Sequence, residues 1–251
     1  AYCKSMPQKN PLRWLYRFLF AILFISLATL LVASANGIMY NVKTRSFEST
    51  GIISLVAEDP PFDLVVDGIS RRTKKKEIRI GNLFSGFHTI ELKKDGYFTW
   101  VKTDYLKPGQ AIIHTGVRLF LSNPKTRLAT ADERISLDES VLNKTTFSDL
   151  DLRGQEIWVK PIVATYPIKA VGSDFVLIAR YSQTVSGLLW FPGKDQMIVQ
   201  IGSEIRAIDR DGSNDTVLAK LATETPTDFV VSDSGFSLIY RDGTDVFYRS
   251  L

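Results

Sequence analysis

The amino-acid sequence predicts an all-β outer region behind one N-terminal transmembrane helix. Three observations predict this class: an apolar run at residues 18–35, short alternating strands separated by turn signals from residue 51 onward, and a blade-like repeat in the last third of the chain. We expect the outer region to comprise a small β-sandwich at 46–121 and a partial β-propeller-like region at 122–251. The roughly 215 residues beyond the helix suffice for one large or two small hydrophobic cores.

The predicted helix is the strongest single pattern in the chain. Its only polar residues are Ser26, Thr29 and Ser34. At a rise of about 1.5 Å per residue, the apolar run approaches the ~30 Å hydrocarbon core of a bilayer. A buried helix of a soluble domain would need a polar stripe, and this run is apolar on every face. We therefore expect a signal-anchor helix at 18–37.

The charges before the run predict the topology of the chain. Residues 1–17 carry four basic and no acidic side chains, and Arg13 and Arg17 stand closest to the apolar run. Basic residues that flank a first span tend to stay cytoplasmic. Arg13 and Arg17 are therefore the predicted topology determinants. We expect a cytoplasmic tail at 1–17, a single pass through the cell membrane, and extracytoplasmic β domains.

A cleavable signal peptide is the alternative to an anchor. Ala33-Ser34-Ala35 fits the small-x-small cleavage pattern. The apolar run is longer than the usual signal-peptide core of about 7–15 residues, which favours the anchor. The chain opens with Ala1 rather than Met, so Met6 is an alternative start.

Short strands and turns predict the β-sandwich. Asp-Gly pairs at 67–68 and 95–96 separate short β-rich runs, and a Pro-Gly pair follows at 108–109. Asp-Gly is a strong hairpin signal because the turn positions require positive φ. Turn signals spaced by about 8–12 residues are typical of a small sandwich.

Four motifs in this region resemble the PEGA domain. They are Val-Val-Asp-Gly at 65–68, Gly-Phe-His-Thr-Ile-Glu-Leu at 86–92, Lys-Asp-Gly-Tyr at 94–97 and Lys-Pro-Gly at 107–109. The resemblance implies a small β-sandwich of bacterial or archaeal envelope proteins, with a structural or adhesive role and no catalytic residues. The chain departs from the family at its eponymous tetrapeptide, where Asp59-Pro60-Pro61-Phe62 stands instead.

A basic run in the sandwich supplies the candidate binding residues. It consists of Arg71, Arg72, Lys74, Lys75 and Lys76. Such a run is commonly a solvated loop. The functional alternative is contact with anionic cell-wall polymer or lipid headgroups, to which each basic group contributes about 1 kcal/mol near a charged surface.

The chemistry of metal and cofactor sites is sparse in this sequence. Cys3 is the single cysteine, so no disulfide forms within the chain. We interpret the two histidines, His88 and His114, as structural, because they lack the clustered partners of a metal site. No cofactor and no metal is expected.

A repeat predicts the propeller-like region. Glycine, any residue, an acid and a β-branched residue recur from Gly154, Gly202 and Gly243, at spacings of 48 and 41 residues. Propeller blades have periods of about 40–50 residues. Together with the turn Asp-Arg-Asp-Gly-Ser-Asn at 209–214, these copies resemble WD40-like blades of the TolB kind.

The number of copies falls short of a closed propeller. A propeller needs about four to eight blades, and the third copy stops in its third strand. We therefore expect incomplete blades, an exposed edge at the last strand, and a natural chain that continues beyond Leu251.

The oxygen-rich turn at 209–215 also allows a calcium interpretation. Its candidate ligands are Asp209, Asp211, Asn214 and Asp215. The distal bidentate Glu of a calcium loop is missing. A tight turn between strands explains the Asp, Gly and Asn residues better.

These observations predict a non-catalytic, membrane-anchored binding or scaffold protein of the bacterial cell envelope. The expected partners are the bilayer and either cell-wall polymer or an envelope or surface-layer protein. No nucleic acid is expected, because the basic tail alone accounts for a charge equal to the net excess of +4. The combination is similar to PEGA-domain membrane proteins of small-genome bacteria. The alternatives are an accessory ligand sensor and the anchored, non-catalytic part of a larger hydrolase.

Overall fold

The predicted fold class is confirmed: a β-rich region follows one apolar N-terminal helix. The computed structural model describes residues 11–58, 60–142, 149–160, 175–193 and 195–251. In this part of the chain two helices are present, α1 (Pro11–Ala35) and α2 (Ala131–Leu142).

The strands fall into an N-terminal and a C-terminal series. The first series comprises β1 (Ile38–Asn41), β2 (Ser46–Ser49), β3 (Gly51–Ala57), β4 (Phe62–Val66), β5 (Ile69–Thr73), β6 (Glu77–Leu83), β7 (Gly86–Lys93), β8 (Trp100–Leu106) and β9 (Ala111–Val117). The second comprises β10 (Thr126–Leu128), β11 (Leu150–Arg153), β12 (Glu156–Val159), β13 (Val176–Arg180), β14 (Val185–Trp190), β15 (Gln196–Ile201), β16 (Glu204–Asp209), β17 (Thr216–Lys220), β18 (Phe229–Val231), β19 (Ser237–Asp242) and β20 (Asp245–Ser250).

The chain divides into two compact units. The first unit takes in Ala1–Ile52, Gly81–Gly86 and Leu106–Ala111, and the second takes in Ile53–Ile80, Phe87–Tyr105 and Ile112–Leu251. The domain boundaries drawn from the sequence stay predictions.

The apolar surface of helix α1 is exposed among the described residues. The stretch Arg13–Ala35 is long and apolar enough to cross a membrane, and none of its most apolar window is buried. Length and composition of this stretch suit a membrane anchor and a signal sequence alike. Arg13 and Arg17 are both exposed and lie one turn apart on the helix.

Two sheets form from the strands between β3 and β9, one in the order β5-β4-β7-β8 and the other in the order β6-β3-β9. Alternate residues point inward, so that Leu64 of β4 and Ile90 and Leu92 of β7 are buried. The Asp-Gly turn predicted between β4 and β5 is confirmed, because Asp67 and Gly68 adopt φ values of 49° and 84°.

The second blade copy is a complete four-stranded meander. Its strands follow the order β14-β15-β16-β17, and every neighbouring pair is antiparallel. All six residues of the central strand β15 are buried. The first copy forms the three-stranded sheet β11-β12-β13 among the described residues. The blade-like strands predicted from the repeat are therefore present.

The exposed edge predicted at the last strand is wrong. Strand β10 pairs antiparallel with β20, with Thr126 opposite Arg249 and Leu128 opposite Phe247. The resulting sheet has the order β10-β20-β19-β18. A strand about 120 residues earlier in the chain thus covers the open backbone groups of β20, as edge protection requires.

Helix α2 was not predicted from the sequence, and neither was the hairpin of β1 and β2. Thr130 and Glu133 form a capping box: the Thr130 N–H donates to Glu133 Oε2 at 2.8 Å, and the Glu133 N–H donates to Thr130 Oγ1 at 3.4 Å. Leu137 is fully buried against Ile239 and Val246 of the last sheet. The pattern Thr-x-x-Glu at 130–133 was the local signal for this helix.

The capping box carries a pH-dependent contribution to stability. Both guanidinium nitrogens of Arg127 donate to the Glu133 carboxylate, at 2.6 and 2.8 Å. These bonds outweigh burial and lower the pKa of Glu133 from 4.5 to about 2. Because the folded pKa is depressed, this contribution is complete above pH 4.5 and is lost as the pH falls toward 2.

The variant Glu133→Gln keeps the acceptor for Thr130 and removes the charge. We expect it to lower the free energy of unfolding at pH 6 by up to about 1 kcal/mol, as for other exposed ion pairs. The difference from the parent should vanish toward pH 2. Thermal unfolding of the detergent-solubilised chain across pH 2–6 measures this. Glu224→Gln, at an exposed glutamate, is the control, and a pH-independent deficit in Glu133→Gln would contradict the assignment.

Candidate functional site

The basic run predicted to bind an anionic surface lies on the edge of a sheet. Arg71 and Arg72 belong to β5, the outermost strand of the β5-β4-β7-β8 sheet. Lys74, Lys75 and Lys76 follow in the connection to β6. All five side chains are exposed. The five basic residues therefore lie next to one another on edge strand β5 and the exposed connection that follows it.

Strand alternation divides the run into different surroundings. Arg72 stands opposite Asp63 and Arg71 opposite Leu64, so the two arginines project from opposite faces of the sheet. Lys76 Nζ lies 3.2 Å from Glu58 Oε2. In the part of the chain that the structure describes, Arg71, Arg72, Lys74 and Lys75 are exposed and belong to no salt bridge. Because Arg72 has Asp63 as its cross-strand neighbour, the other three offer positive charge with no acidic residue directly opposite.

Each histidine is paired with an aspartate. His88 Nδ1 lies 2.7 Å from Asp67 Oδ2, and the Thr89 N–H donates to the other oxygen of the same carboxylate at 3.0 Å. His114 Nε2 lies 2.6 Å from Asp104 Oδ2. Among the described residues, no three His, Cys, Asp or Glu side chains converge as metal ligands would. The first pair links β7 to the Asp67-Gly68 turn.

The densest polar cluster lies where β8 meets the turn after β16. We call it the polar junction, and its residues are Trp100, Lys102, Asp209, Asp211, Ser213 and Asn214. All six belong to the second compact unit. Side chains from β8 and from the Asp-Arg-Asp-Gly-Ser-Asn turn are separated by more than 100 residues in sequence and meet here through direct hydrogen bonds.

The Asp209 carboxylate is the centre of the polar junction. Its side chain is buried, with 8% of the residue exposed. Trp100 Nε1 and Asn214 Nδ2 each donate to Oδ2 at 2.8 Å, and Gln196 Nε2 donates to Oδ1 at 3.1 Å. Asn214 in turn accepts the Val101 N–H through Oδ1 at 2.9 Å. The buried charge is thus satisfied from β8, β15 and the turn together.

Lys102 provides the positive charge of the polar junction. Its ammonium group bonds the Asp211 carboxylate and lies 2.8 Å from Ser213 Oγ. Burial would raise the pKa of Asp211, but the charge and hydrogen bonds of Lys102 and the hydrogen bonds of Ser213 lower it below its usual value. The two side chains are 11% and 29% exposed, so removal of either partner would leave the other charge largely buried and uncompensated.

The tight-turn interpretation of residues 209–215 agrees with this geometry. The Gly212 N–H donates to Asp209 O at 2.8 Å, and Gly212 adopts a φ of 84°. The carboxylate of Asp215, also proposed as a calcium ligand, accepts from Arg206 Nη1 at 3.0 Å and from the Tyr181 hydroxyl at 3.2 Å. Protein donors therefore occupy the oxygens on which the calcium alternative depended.

Contacts from β9 and the segment after it extend the polar junction. Thr115 Oγ1 donates to Asp195 Oδ1 at 2.9 Å, and Arg118 Nη1 donates to Gly235 O at 2.7 Å. Arg118 also lies over the rings of Phe191 and Phe236, at 5.2 and 4.7 Å from their centroids. A cavity between these elements measures about 10 Å³, room for one water molecule. These contacts hold the strands together and leave no space for an organic ligand in this cavity.

The alternation of residues along β8 is the sequence pattern that indicates the polar junction. Trp100, Lys102, Asp104 and Leu106 alternate along β8 and therefore share one face of the strand. The outer two are buried apolar residues, and the inner two are partly buried charges. Charged residues in the middle of an inward-facing stripe require buried partners. Which residues serve as these partners, Asp211 for Lys102 and His114 for Asp104, is decided by the tertiary structure.

Comparisons with known proteins assign no family to this chain. No family model matches it, and no curated protein matches it either. Four chains of known structure match. One is the crystal structure of an auxiliary nutrient binding protein from Bacteroides thetaiotaomicron, at 8% sequence identity and a TM-score of 0.17. The match covers 72% of this chain and 57% of that one. A likeness at this level carries no argument about function.

The Trp100 hydrogen bond is testable by a conservative substitution. Trp100→Phe keeps a buried ring and removes the donor to Asp209, so we expect a loss of about 1.5–3 kcal/mol in the free energy of unfolding. Trp158→Phe is the matched control, because its lost bond goes to the partly exposed Glu156. We expect that control to cost about 1 kcal/mol or less. Chemical denaturation of the solubilised full chain measures both, and equal losses would contradict the central role of Asp209.

Proposed function

We propose that this chain is a membrane-anchored, extracytoplasmic and non-catalytic binding or scaffold protein of the cell envelope. The observation that carries the proposal is helix α1, whose run from residue 18 to residue 35 is apolar except for Ser26, Thr29 and Ser34 and whose most apolar window is not buried in the described structure. Large contiguous apolar surfaces mark interaction with a membrane or a partner. At a length that matches the hydrocarbon core, the bilayer is the natural environment for this surface.

The charge distribution around helix α1 supports an outward orientation. Arg13 and Arg17 precede the apolar run, whereas the last turn of the helix holds no basic residue. The positive-inside tendency then leaves the amino terminus in the cytoplasm. All strands follow the helix in sequence, so the β-rich region lies on the outer side.

Family membership remains part of the proposal. The left-handed Asp67-Gly68 turn and the His88–Asp67 pair support a PEGA-like sandwich at 46–121. The four-stranded meander β14-β15-β16-β17 supports WD40-like blades in 122–251. In both regions the inward residues form cores and the polar junction holds strands together, as in a scaffold that presents loops for binding.

The proposed ligand is an anionic polymer of the cell wall. Arg71, Lys74 and Lys75 carry accessible positive charge on the β5 edge and the connection after it. A flexible polyanion binds through the summed attraction of such groups and needs no enclosed pocket.

Labelling of single cysteines in intact bacterial cells tests the orientation. We expect a membrane-impermeant maleimide to label Ser122→Cys in a Cys3→Ser background, because residue 122 is exposed in the outer region. Cys3 of the parent chain should react only after permeabilisation. Labelling of Cys3 in intact cells would contradict the orientation. A mature chain that begins after Ala35 would contradict the anchor.

Charge neutralisation tests the polymer-binding surface. In the triple variant Arg71→Gln, Lys74→Gln and Lys75→Gln, we expect the affinity of the full chain for linear polyphosphate, a model polyanion, to fall roughly a hundredfold at low salt. This corresponds to about 1 kcal/mol for each lost charge. Glutamine at the exposed Lys107, Lys125 and Lys220 is the control with the same change in net charge.

Sedimentation or interferometry at increasing salt measures both variants. The triple variant should also show a weaker salt dependence than the parent, because fewer counterions are released on binding. If the control variant loses as much affinity as the triple variant, binding follows net charge alone and the proposed surface is wrong.

A further inference from the structure

A short hairpin joins helix α1 to the β-rich region. Strands β1 (Ile38–Asn41) and β2 (Ser46–Ser49) pair antiparallel, and β1 begins three residues after the last residue of the helix. Helix and hairpin both belong to the first compact unit, and α1 contacts β1. The hairpin therefore lies at the end of the helix that is expected to reach the outer surface of the bilayer.

One face of the hairpin is apolar and exposed. Tyr40 stands directly opposite Phe47, and their rings meet edge to face at 5.3 Å between centroids. The exposed fractions are 51% for Tyr40 and 60% for Phe47. Ile38 lies two residues before Tyr40 and therefore on the same face. Val42, at the start of the turn, adds a further exposed apolar side chain.

The opposite face of the hairpin is mostly polar, with Met39 (37% exposed) as its apolar residue, and its polar side chains bond one another. Asn41 stands opposite Ser46, and Glu48 lies two residues further along the same strand. The Glu48 carboxylate accepts from Asn41 Nδ2 at 2.9 Å, from Ser46 Oγ at 3.0 Å and from the Thr44 hydroxyl. Glu48 is the single acidic residue of the hairpin, and these bonds hold its charge away from the aromatic face.

The connection between helix and hairpin is short and well fixed. Gly37 ends the helix with a φ of 73°, and its N–H donates to Ser34 O at 3.0 Å. The Gly37 carbonyl accepts both the Thr50 N–H at 2.7 Å and the Thr50 hydroxyl at 2.8 Å. These bonds connect Thr50, which directly follows the last residue of β2, to the carboxyl-terminal end of the helix. The hairpin cannot leave the helix end without breaking them.

The dimensions of the helix bring the hairpin to the membrane interface. Residues 18–35 span about 27 Å, close to the ~30 Å hydrocarbon core, so Ala35 lies near its outer boundary. Tyr40 follows five residues later and reaches at most about 17 Å from that point. The polar headgroup layer takes up about the first 5–8 Å of this range, since the whole bilayer is about 40–45 Å thick, so Tyr40 is able to reach it.

Within helix α1, Trp and Tyr residues are present near the amino-terminal end and absent from the carboxyl-terminal end. Trp14 and Tyr16 lie at the cytoplasmic end, and the segment from 25 to 35 holds no aromatic residue. Membrane spans favour Trp and Tyr at both interfaces. Tyr40 and Phe47 supply the rings that the outer end of the helix lacks. Lys43 and Arg45, in the turn of the hairpin, are placed to meet lipid phosphates.

We propose that the β1–β2 hairpin is a membrane-interface anchor, with Tyr40 and Phe47 seated among the headgroups of the outer leaflet. The ligand is the phospholipid bilayer that surrounds helix α1. The inference rests on the proposed membrane anchor and adds a second attachment to it. The hairpin fixes how the first compact unit meets the lipid surface, because its rings hold the chain that leaves the helix against the headgroups, which a span alone would not do.

Depth-dependent fluorescence quenching of the full chain tests the proposal. Single cysteines in a Cys3→Ser background are labelled with an environment-sensitive dye, and the protein is reconstituted in phosphatidylcholine–phosphatidylglycerol vesicles with spin-labelled lipids. For Phe47→Cys we expect blue-shifted emission and stronger quenching by a spin label near the headgroup than by one near the chain end. Ser46→Cys, on the polar face, should be quenched about twofold less. Phe87→Cys, 74% exposed in the second unit, should behave as in water.

A cysteine within helix α1 distinguishes failure of the hairpin anchor from failure of the proposed membrane span. Leu23→Cys lies within the apolar run and should be quenched most strongly by the deep spin label. Quenching at position 23 without quenching at position 47 would overturn the hairpin anchor and leave the transmembrane helix standing. Absence of quenching at both positions would overturn the membrane anchor as well. Equal quenching at 46, 47 and 87 would show general adsorption and also contradict the proposal. Tyr40→Cys repeats the measurement on the same face if Phe47→Cys is unstable.

Discussion

The satisfaction of one buried carboxylate organises the second compact unit. Asp209 is 8% exposed and accepts hydrogen bonds from Trp100, Gln196 and Asn214. A buried charge without partners costs several kcal/mol, so the loss of any of these donors destabilises the unit. The donors come from β8, β15 and the turn after β16. Sandwich-like and blade-like strands are therefore coupled through a few directional polar bonds, which specify geometry more narrowly than apolar packing alone.

Edge protection is the second constraint that the fold meets. The pairing of β10 with β20 covers a strand that would otherwise present unpaired backbone groups to other chains. Arg127 lies in β10 and also binds Glu133 at the start of α2. Leu137 of α2 is buried against the same sheet. The edge strand, the helix cap and the core of the last sheet thus support one another.

The exposed features of the protein are arranged along the chain in a consistent order. Apolar exposure is extensive on helix α1 and continues on the β1–β2 hairpin. Exposed positive charge then follows on β5 and the connection to β6, beyond which the polar junction fixes the strands internally. Attachment to lipid, contact with an anionic polymer and mechanical support are therefore proposed for successive parts of one chain.

The sequence by itself determined the features that depend on neighbouring residues. The apolar length of α1, the Asp67-Gly68 turn and the strands of the blade repeat follow from local composition and periodicity. The capping box of α2 was equally local but was overlooked within a β-rich pattern. Only the tertiary structure decided that β10 covers β20 and that Lys102 meets Asp211. These partners are more than 100 residues apart, and the choice among many possible partners depends on chain topology, which periodicity does not encode.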